Sequence, residues 1–101
     1  MPTLTIEHEL YVLNLGSDEN RFTLEMLAAL EQAVDKVAED VRPLVTIADG
    51  KFFSNGLDVA WMRANPDQSR AYAGRVRAVF ARIMTLPVPT VAAINGHAFG
   101  A

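Results

Sequence analysis

The sequence predicts an α/β domain built on a parallel sheet, and three observations carry that reading. Two runs, Leu44-Val45-Thr46-Ile47-Ala48 and Thr90-Val91-Ala92-Ala93-Ile94, are mostly apolar without strict alternation, the pattern of strands covered on both faces. About forty residues of helical pattern separate them, enough for the right-handed crossover that makes two strands parallel members of one sheet. An amphipathic helical stretch precedes the first run. Parallel strands carry their C-terminal ends to the same side, so the segments that follow the two runs share one crevice.

The elements follow in order. Residues 3 to 7 alternate Thr, Leu, Thr, Ile, Glu, and residues 10 to 15 read Leu-Tyr-Val-Leu-Asn-Leu after His8-Glu9, which predicts an antiparallel pair. Gly16 to Asn20 is a polar loop. From Thr23, a plausible N-cap, Leu27, Leu30, Val34, Val37 and Val41 recur three or four apart and predict a helix to about Asp40, ended by Arg42-Pro43. The first buried-type strand then breaks at Gly50, and after a turn at Gly56 a short helix covers Asp58 to Ala64. Asn65-Pro66-Asp67 restarts a longer helix with a stripe of Tyr72, Val76, Val79, Phe80, Ile83 and Leu86, closed by Pro87 and Pro89. The second strand, 90 to 94, breaks in turn at Gly96.

Composition narrows the function classes. A chain of 101 residues, 50% of them apolar, supports one domain and one modest core but no second domain with a cleft between. Its net charge of -3 offers no general attraction for nucleic acid or an anionic membrane surface. There is no cysteine, and His8 and His97 lie too far apart to suggest a ligand pair, so no metal site is expected. The N-terminus lacks a basic segment followed by an apolar one, and no stretch reaches membrane-spanning length. The expectation is a soluble protein of the cytoplasm with no nucleic-acid or membrane partner.

The chemistry lies in two similar junctions. Leu44 to Asp49 runs into Gly50-Lys51-Phe52-Phe53-Ser54-Asn55-Gly56-Leu57-Asp58, and Thr90 to Asn95 runs into Gly96-His97-Ala98-Phe99-Gly100-Ala101. Each reads as a strand that breaks at glycine and feeds a helix, leaving unpaired backbone N–H groups beyond the strand end. Glycine at 56 and 100 lets backbone approach a ligand oxygen closely and permits positive φ. The amides that follow, Leu57 and Ala101, would then converge on one oxygen and stabilise an enolate or tetrahedral oxyanion.

At these residues the chain resembles a known family. Lys51-Phe52-Phe53-Ser54-Asn55-Gly56-Leu57-Asp58 looks like the first oxyanion segment of the crotonase superfamily, the enoyl-CoA hydratases and isomerases, and Asn95 to Ala101 looks like the second. The first motif, with Trp61 close behind, is especially similar to the Δ3,Δ2-enoyl-CoA isomerases. The resemblance implies a crotonase-like (ClpP/crotonase) fold of repeated β-β-α units, of which residues 1–101 are the N-terminal part, ending within the second motif. It assigns thioester-oxygen contacts to the Leu57 and Ala101 amides. Ser54, Asn55, Gly56 and Asp58, together with Gly100, would line the acyl-CoA site. Asn55 stands where the family usually has alanine, and Ala101 where it often has glycine; neither change removes an N–H.

Further implications concern the whole protein. The family moves protons with one or two glutamates carried after the second motif, and Glu7, Glu9, Glu19, Glu25, Glu31 and Glu39 match none of those positions. The implied activity is a Δ3 to Δ2 double-bond shift on an acyl-CoA thioester in fatty acid metabolism, with coenzyme A part of the substrate and no separate cofactor. Hydration of a 2-enoyl thioester is the rival activity; a non-catalytic acyl-CoA binding or assembly module is the rival from another class. The family also suggests a homo-oligomer, a trimer or hexamer.

Several residues admit a plainer reading. Asp58 serves as an N-cap at least as well as a ligand contact. Lys51 could meet a CoA phosphate or stand solvated in its loop. His97 invites a general-base role that the motif does not need. Trp61, Met62 and Tyr72 could wall an acyl pocket or simply be core. Arg63, Arg70, Arg75, Arg77 and Arg82 read as solvated or subunit-contact charges.

Overall fold

Strands β1 (Thr3–Glu7) and β2 (Leu10–Asn14) open the computed structural model, which describes residues 1–101. They pair antiparallel, Thr3 opposite Asn14 and Glu7 opposite Leu10, through a turn in which His8 and Glu9 take φ of 51° and 67°. Two left-handed residues in succession suit the twist of a tight hairpin, at a steric cost that Asn-Gly would largely avoid.

Helix α1 (Leu24–Glu39) starts where the Thr23 hydroxyl accepts the Met26 N–H at 3.0 Å, which bears out the predicted cap. Leu27, Leu30, Val34 and Val37 are buried as their spacing requires, whereas Val41 falls past the helix end and is exposed. The cause is Asp40, whose carboxylate takes the Tyr11 hydroxyl at 3.0 Å and the Arg42 guanidinium at 2.9 Å and turns the chain toward Pro43.

Strand β3 (Leu44–Ile47) lies parallel to β2, with Leu44 opposite Tyr11. A short strand β4 (Phe52–Ser54), helix α2 (Val59–Ala64) and a single tight turn at Pro66–Gln68 lead into helix α3 (Ser69–Met84). Strand β5 (Thr90–Ala92) then returns parallel to β3, as the crossover predicts, and the sheet order is β1-β2-β3-β5. The last strand is β6 (His97–Ala98).

Leu13, Leu15 and Leu44 of the sheet meet Leu27, Leu30 and Val37 of α1 and Tyr72, Val76 and Val79 of α3 in one core. Each large side chain buried there contributes about 1.5–3 kcal/mol. Arg75 to Glu31 and Arg82 to Asp35, both at 2.6 Å, tie α3 to α1 along the rim.

Two expectations need correction. Strands β3 and β5 are not covered on both faces: only Leu44 of β3 is buried, and all of β5 is exposed. Tyr11, Leu13 and Leu15 point one way along β2, and α1 and α3 both pack on that face, so the other has no cover within these residues. Nor does either junction pass from glycine straight into a helix. Each inserts a second strand, β4 after Gly50 and β6 after Gly96, and these two pair parallel as a separate small sheet. The result is the repeated β-β-α unit: β1-β2-α1, β3-β4-α2, then β5-β6.

Candidate active site

The small sheet brings the two junctions together. Ser54 of β4 stands opposite Ala98 of β6, and the Phe99 N–H donates to the Ser54 carbonyl at 3.0 Å. Two residues farther on each strand lie Gly56 and Gly100, with φ of 81° and 67°. Their backbones touch: a Cβ on Gly56 would come within 2.5 Å of the Phe99 carbonyl oxygen, and one on Gly100 within 3.6 Å of the Gly56 Cα. Only glycine fits at 56, because the contact is with backbone that cannot swing away.

The amides beyond this contact are those of Leu57 and Ala101. The Gly100 Cβ direction points to within 4.0 Å of the Leu57 nitrogen, so the start of Leu57 and the end of the chain share one locality. Neither the Leu57 N–H nor the Ala101 N–H is engaged in a hydrogen bond within the chain. The orientation of Leu57 follows from its peptide plane. The Gly56 carbonyl accepts the Phe22 N–H at 2.9 Å, and the N–H of a trans peptide points opposite to its C=O, so the Leu57 N–H faces away from Phe22.

The side chains of the first segment mostly hold its shape. Ser54 is buried; its hydroxyl donates to the Asn20 carbonyl at 2.8 Å and accepts the Gly56 N–H at 3.2 Å. Asn55 reaches outward, its amide donating to Glu19 at 2.7 Å. That bond and the Arg21 guanidinium lower the Glu19 carboxyl below its ordinary pKa. Asp58 caps α2, accepting the Trp61 N–H at 3.2 Å, the plainer of its two readings. Arg21 donates to the carbonyls of Asn55 and Leu57, at 3.3 and 3.0 Å.

Other candidates sort themselves by packing. The His97 ring stacks on Phe99 with 13° between planes and tilts against Phe52, while the Lys51 ammonium sits 5.6 Å from the centre of the Phe52 ring. Trp61 and Met62 are half-buried and pack against the core, and Tyr72 belongs to it. Arg75 and Arg82 are paired to α1 while staying partly in solvent. A concavity of about 340 Å³ lies elsewhere, against Met1, Asp18, Glu19, Arg21 and Glu25, and touches neither glycine.

Asn20 is the residue that sequence reasoning missed. It is 1% exposed, has φ of 51°, and its amide donates to the carbonyls of Gly16, Phe52 and Phe53 at 3.1, 3.3 and 3.1 Å. It thereby welds the loop after β2 to β4 and fixes where β4 begins. Asparagine at a loop end, with its tolerance of the left-handed region, was the available signal.

A small domain of β-β-α units whose second strands press two glycine turns together is a crotonase-type scaffold. The chain belongs to the enoyl-CoA hydratase/isomerase family, whose sequence model matches residues 8–101. Enoyl-CoA delta isomerase 1, peroxisomal, of Arabidopsis thaliana is 36% identical over 106 residues that take in 100% of this chain and 44% of that protein. Enoyl-CoA delta isomerase 2, peroxisomal, of the same plant is 37% identical, with 100% and 46% covered. The crystal structure of an enoyl-CoA hydratase from Mycobacterium smegmatis superposes with a TM-score of 0.84 at 32% identity, over 92% of this chain and 39% of that one. The chain thus spans less than half the length of these relatives. No helix is long and apolar enough to cross a membrane.

Proposed function

We propose that the protein shifts the double bond of a 3-enoyl-CoA thioester to the 2 position, holding the thioester oxygen between the Leu57 and Ala101 amides. The observation that carries this reading is the backbone contact of Gly56 with Gly100, beyond which both amides lack partners within the chain. Removal of a C2 proton turns the thioester carbonyl into a dienolate oxygen, and returning a proton at C4 leaves the 2-enoyl product. Charge builds on the oxygen only in the middle of this sequence, so donors fixed there stabilise the transition state more than the substrate. Each is worth about 3–4 kcal/mol.

Within the chain, Gly56 and Gly100 admit the thioester, and Asn55 and Asp58 border it through their backbone. Ser54 acts from beneath, by holding the Gly56 amide. The proton transfer belongs to a glutamate outside these 101 residues. Coenzyme A enters as part of the substrate and no further cofactor is invoked. A trimer or hexamer is part of the proposal, as is a cytoplasmic location, which suits a chain without cysteine although two relatives are named as peroxisomal.

The likeness to the plant isomerases favours isomerisation; the likeness to the mycobacterial hydratase supports the second reading, addition of water to a 2-enoyl-CoA. The test offers the protein, as its gene encodes it, 3-enoyl- and 2-enoyl-CoA of several lengths, and follows vinyl and carbinol protons by NMR. A 2-enoyl product from the 3-enoyl substrate is expected. A 3-hydroxyacyl product as the main outcome would favour the hydratase. Binding without turnover of either substrate would leave an acyl-CoA binding module, and neither binding nor turnover would remove the thioester reading. Sedimentation of the same protein checks the oligomer, and fractionation the compartment.

A further inference from the structure

We propose that Tyr72 is a positioning residue that aims the Leu57 N–H, an inference that rests on the oxyanion reading of that amide. Phe22 and Leu57 form a lone parallel bridge. One rung is ordinary, Phe22 N–H to the Gly56 carbonyl at 2.9 Å. In a regular parallel ladder the next rung would run from the Asp58 N–H to the Phe22 carbonyl. Here the Tyr72 hydroxyl stands between them: it accepts the Asp58 N–H at 3.0 Å and donates to the Phe22 carbonyl at 2.5 Å.

The peptide groups on both sides of Leu57 are thus held on the Phe22 side, one directly and one through the tyrosine. Leu57 itself is left with its N–H turned away from Phe22, its nitrogen 4.0 Å from where a Cβ on Gly100 would lie. Tyr72 is 3% exposed and sits on α3, inside the core cluster, so the hydroxyl is delivered from a rigid element. It lies on the far side of the backbone from the glycine contact and would not touch the thioester. Phenylalanine at this position keeps the ring packed on Trp61, 5.3 Å centre to centre, while removing the splice. The Asp58 N–H and the Phe22 carbonyl then lose their shared partner, and the Leu57–Asp58 peptide is free to rotate, so that the Leu57 N–H is held only through the Phe22 bond to the Gly56 carbonyl.

The experiment compares wild type, Tyr72→Phe and Val79→Ala in the protein as its gene encodes it. Val79 is buried on the same helix and makes no contact with the 54–58 segment through hydrogen bonds, so its truncation tests loss of packing alone. For Tyr72→Phe, kcat on the better enoyl-CoA substrate is expected to fall about 10- to 100-fold, short of or equal to complete loss of one donor, with KM within about threefold. The C=O stretch of a bound saturated acyl-CoA, lowered by the two amides in wild type, is expected to move back toward its solution frequency. Val79→Ala is expected to lower the unfolding temperature and change neither readout. Wild-type kcat and an unshifted band in Tyr72→Phe would overturn the inference, as would equal losses in Val79→Ala. If Tyr72→Phe does not fold, 3-fluorotyrosine at position 72 weakens the same hydroxyl as an acceptor in place; a two- to fivefold lower kcat supports the inference and an unchanged one overturns it. A wild type inert toward every enoyl-CoA would sink the oxyanion reading itself, and this inference with it.

Discussion

Gly56 concentrates the constraints on the candidate site in a single missing methyl group. Its φ of 81° excludes most side chains, and a Cβ there would lie 2.5 Å from the Phe99 carbonyl, a clash of backbone with backbone. Gly56→Ala therefore separates β4 from β6 just where the Leu57 and Ala101 amides should meet. The expected outcome is a loss of at least about 100-fold in kcat, the size of one lost oxyanion donor, with circular dichroism close to wild type because α1 and α3 lie elsewhere. Retention of wild-type turnover would mean that the contact does not serve catalysis. The two glycines were legible from sequence because each follows a strand-like run at a similar distance. Tyr72 and Asn20 were not: a tyrosine at helical spacing reads as core, and an asparagine in a polar loop gives no sign that it is 1% exposed and bonded to three carbonyls.

Elements were legible in proportion to their length. Helices α1 and α3 show a 3.6-residue stripe over 16 residues each, and β1 with β2 shows alternation across a recognisable turn. Strands β4 and β6, of three and two residues, are too short to display any period, and the sequence reading runs each junction from its glycine toward a helix without them. Apolar runs at β3 and β5 suggested cover on both faces, but composition cannot say from which polypeptide cover comes. The β1–β2 turn is where local and global preference conflict most. His8 and Glu9 both have positive φ, a conformation that costs non-glycine residues about 1–2 kcal/mol each. Replacing them by Asn-Gly should raise the thermal midpoint by about 4–8 °C for each kcal/mol recovered. A lowered midpoint would show that their side chains contribute more than the turn costs. Between helices, the Arg75 hydrogen bonds hold the Glu31 carboxyl below its ordinary pKa. A depressed carboxylate stabilises the fold above its unfolded pKa, and that contribution is lost as pH falls through the folded value. Glu31→Gln should accordingly flatten the decline in stability below about pH 4, while costing no more than about 1 kcal/mol at neutral pH because both partners are a third exposed. Equal acid sensitivity of variant and wild type in urea titrations would refute this role.

At the scale of the whole chain the apolar surface is unevenly placed. Helices close one face of the sheet, while β5 forms its outer edge and Val91, Ile94 and Phe99 along the last segment are 58%, 62% and 57% exposed. An edge strand offers a row of unpaired N–H and C=O groups, and apolar side chains beside it make pairing with another chain favourable. No charged residue follows Arg82, so nothing on β5 or beyond it opposes such pairing. A polypeptide of just these 101 residues should therefore self-associate. In sedimentation velocity at about 100 μM it is expected to run larger than its 11.0 kDa monomer, with the shift fading on dilution. A lysine on the edge blocks strand addition by placing charge where the second chain must lie. Val91→Lys should restore the monomer without unfolding it, since Val91 is 58% exposed and lies outside the core cluster. Were the unaltered chain monomeric throughout, the exposed edge would have to be satisfied by water alone, and the case that this face is built to be covered would fail.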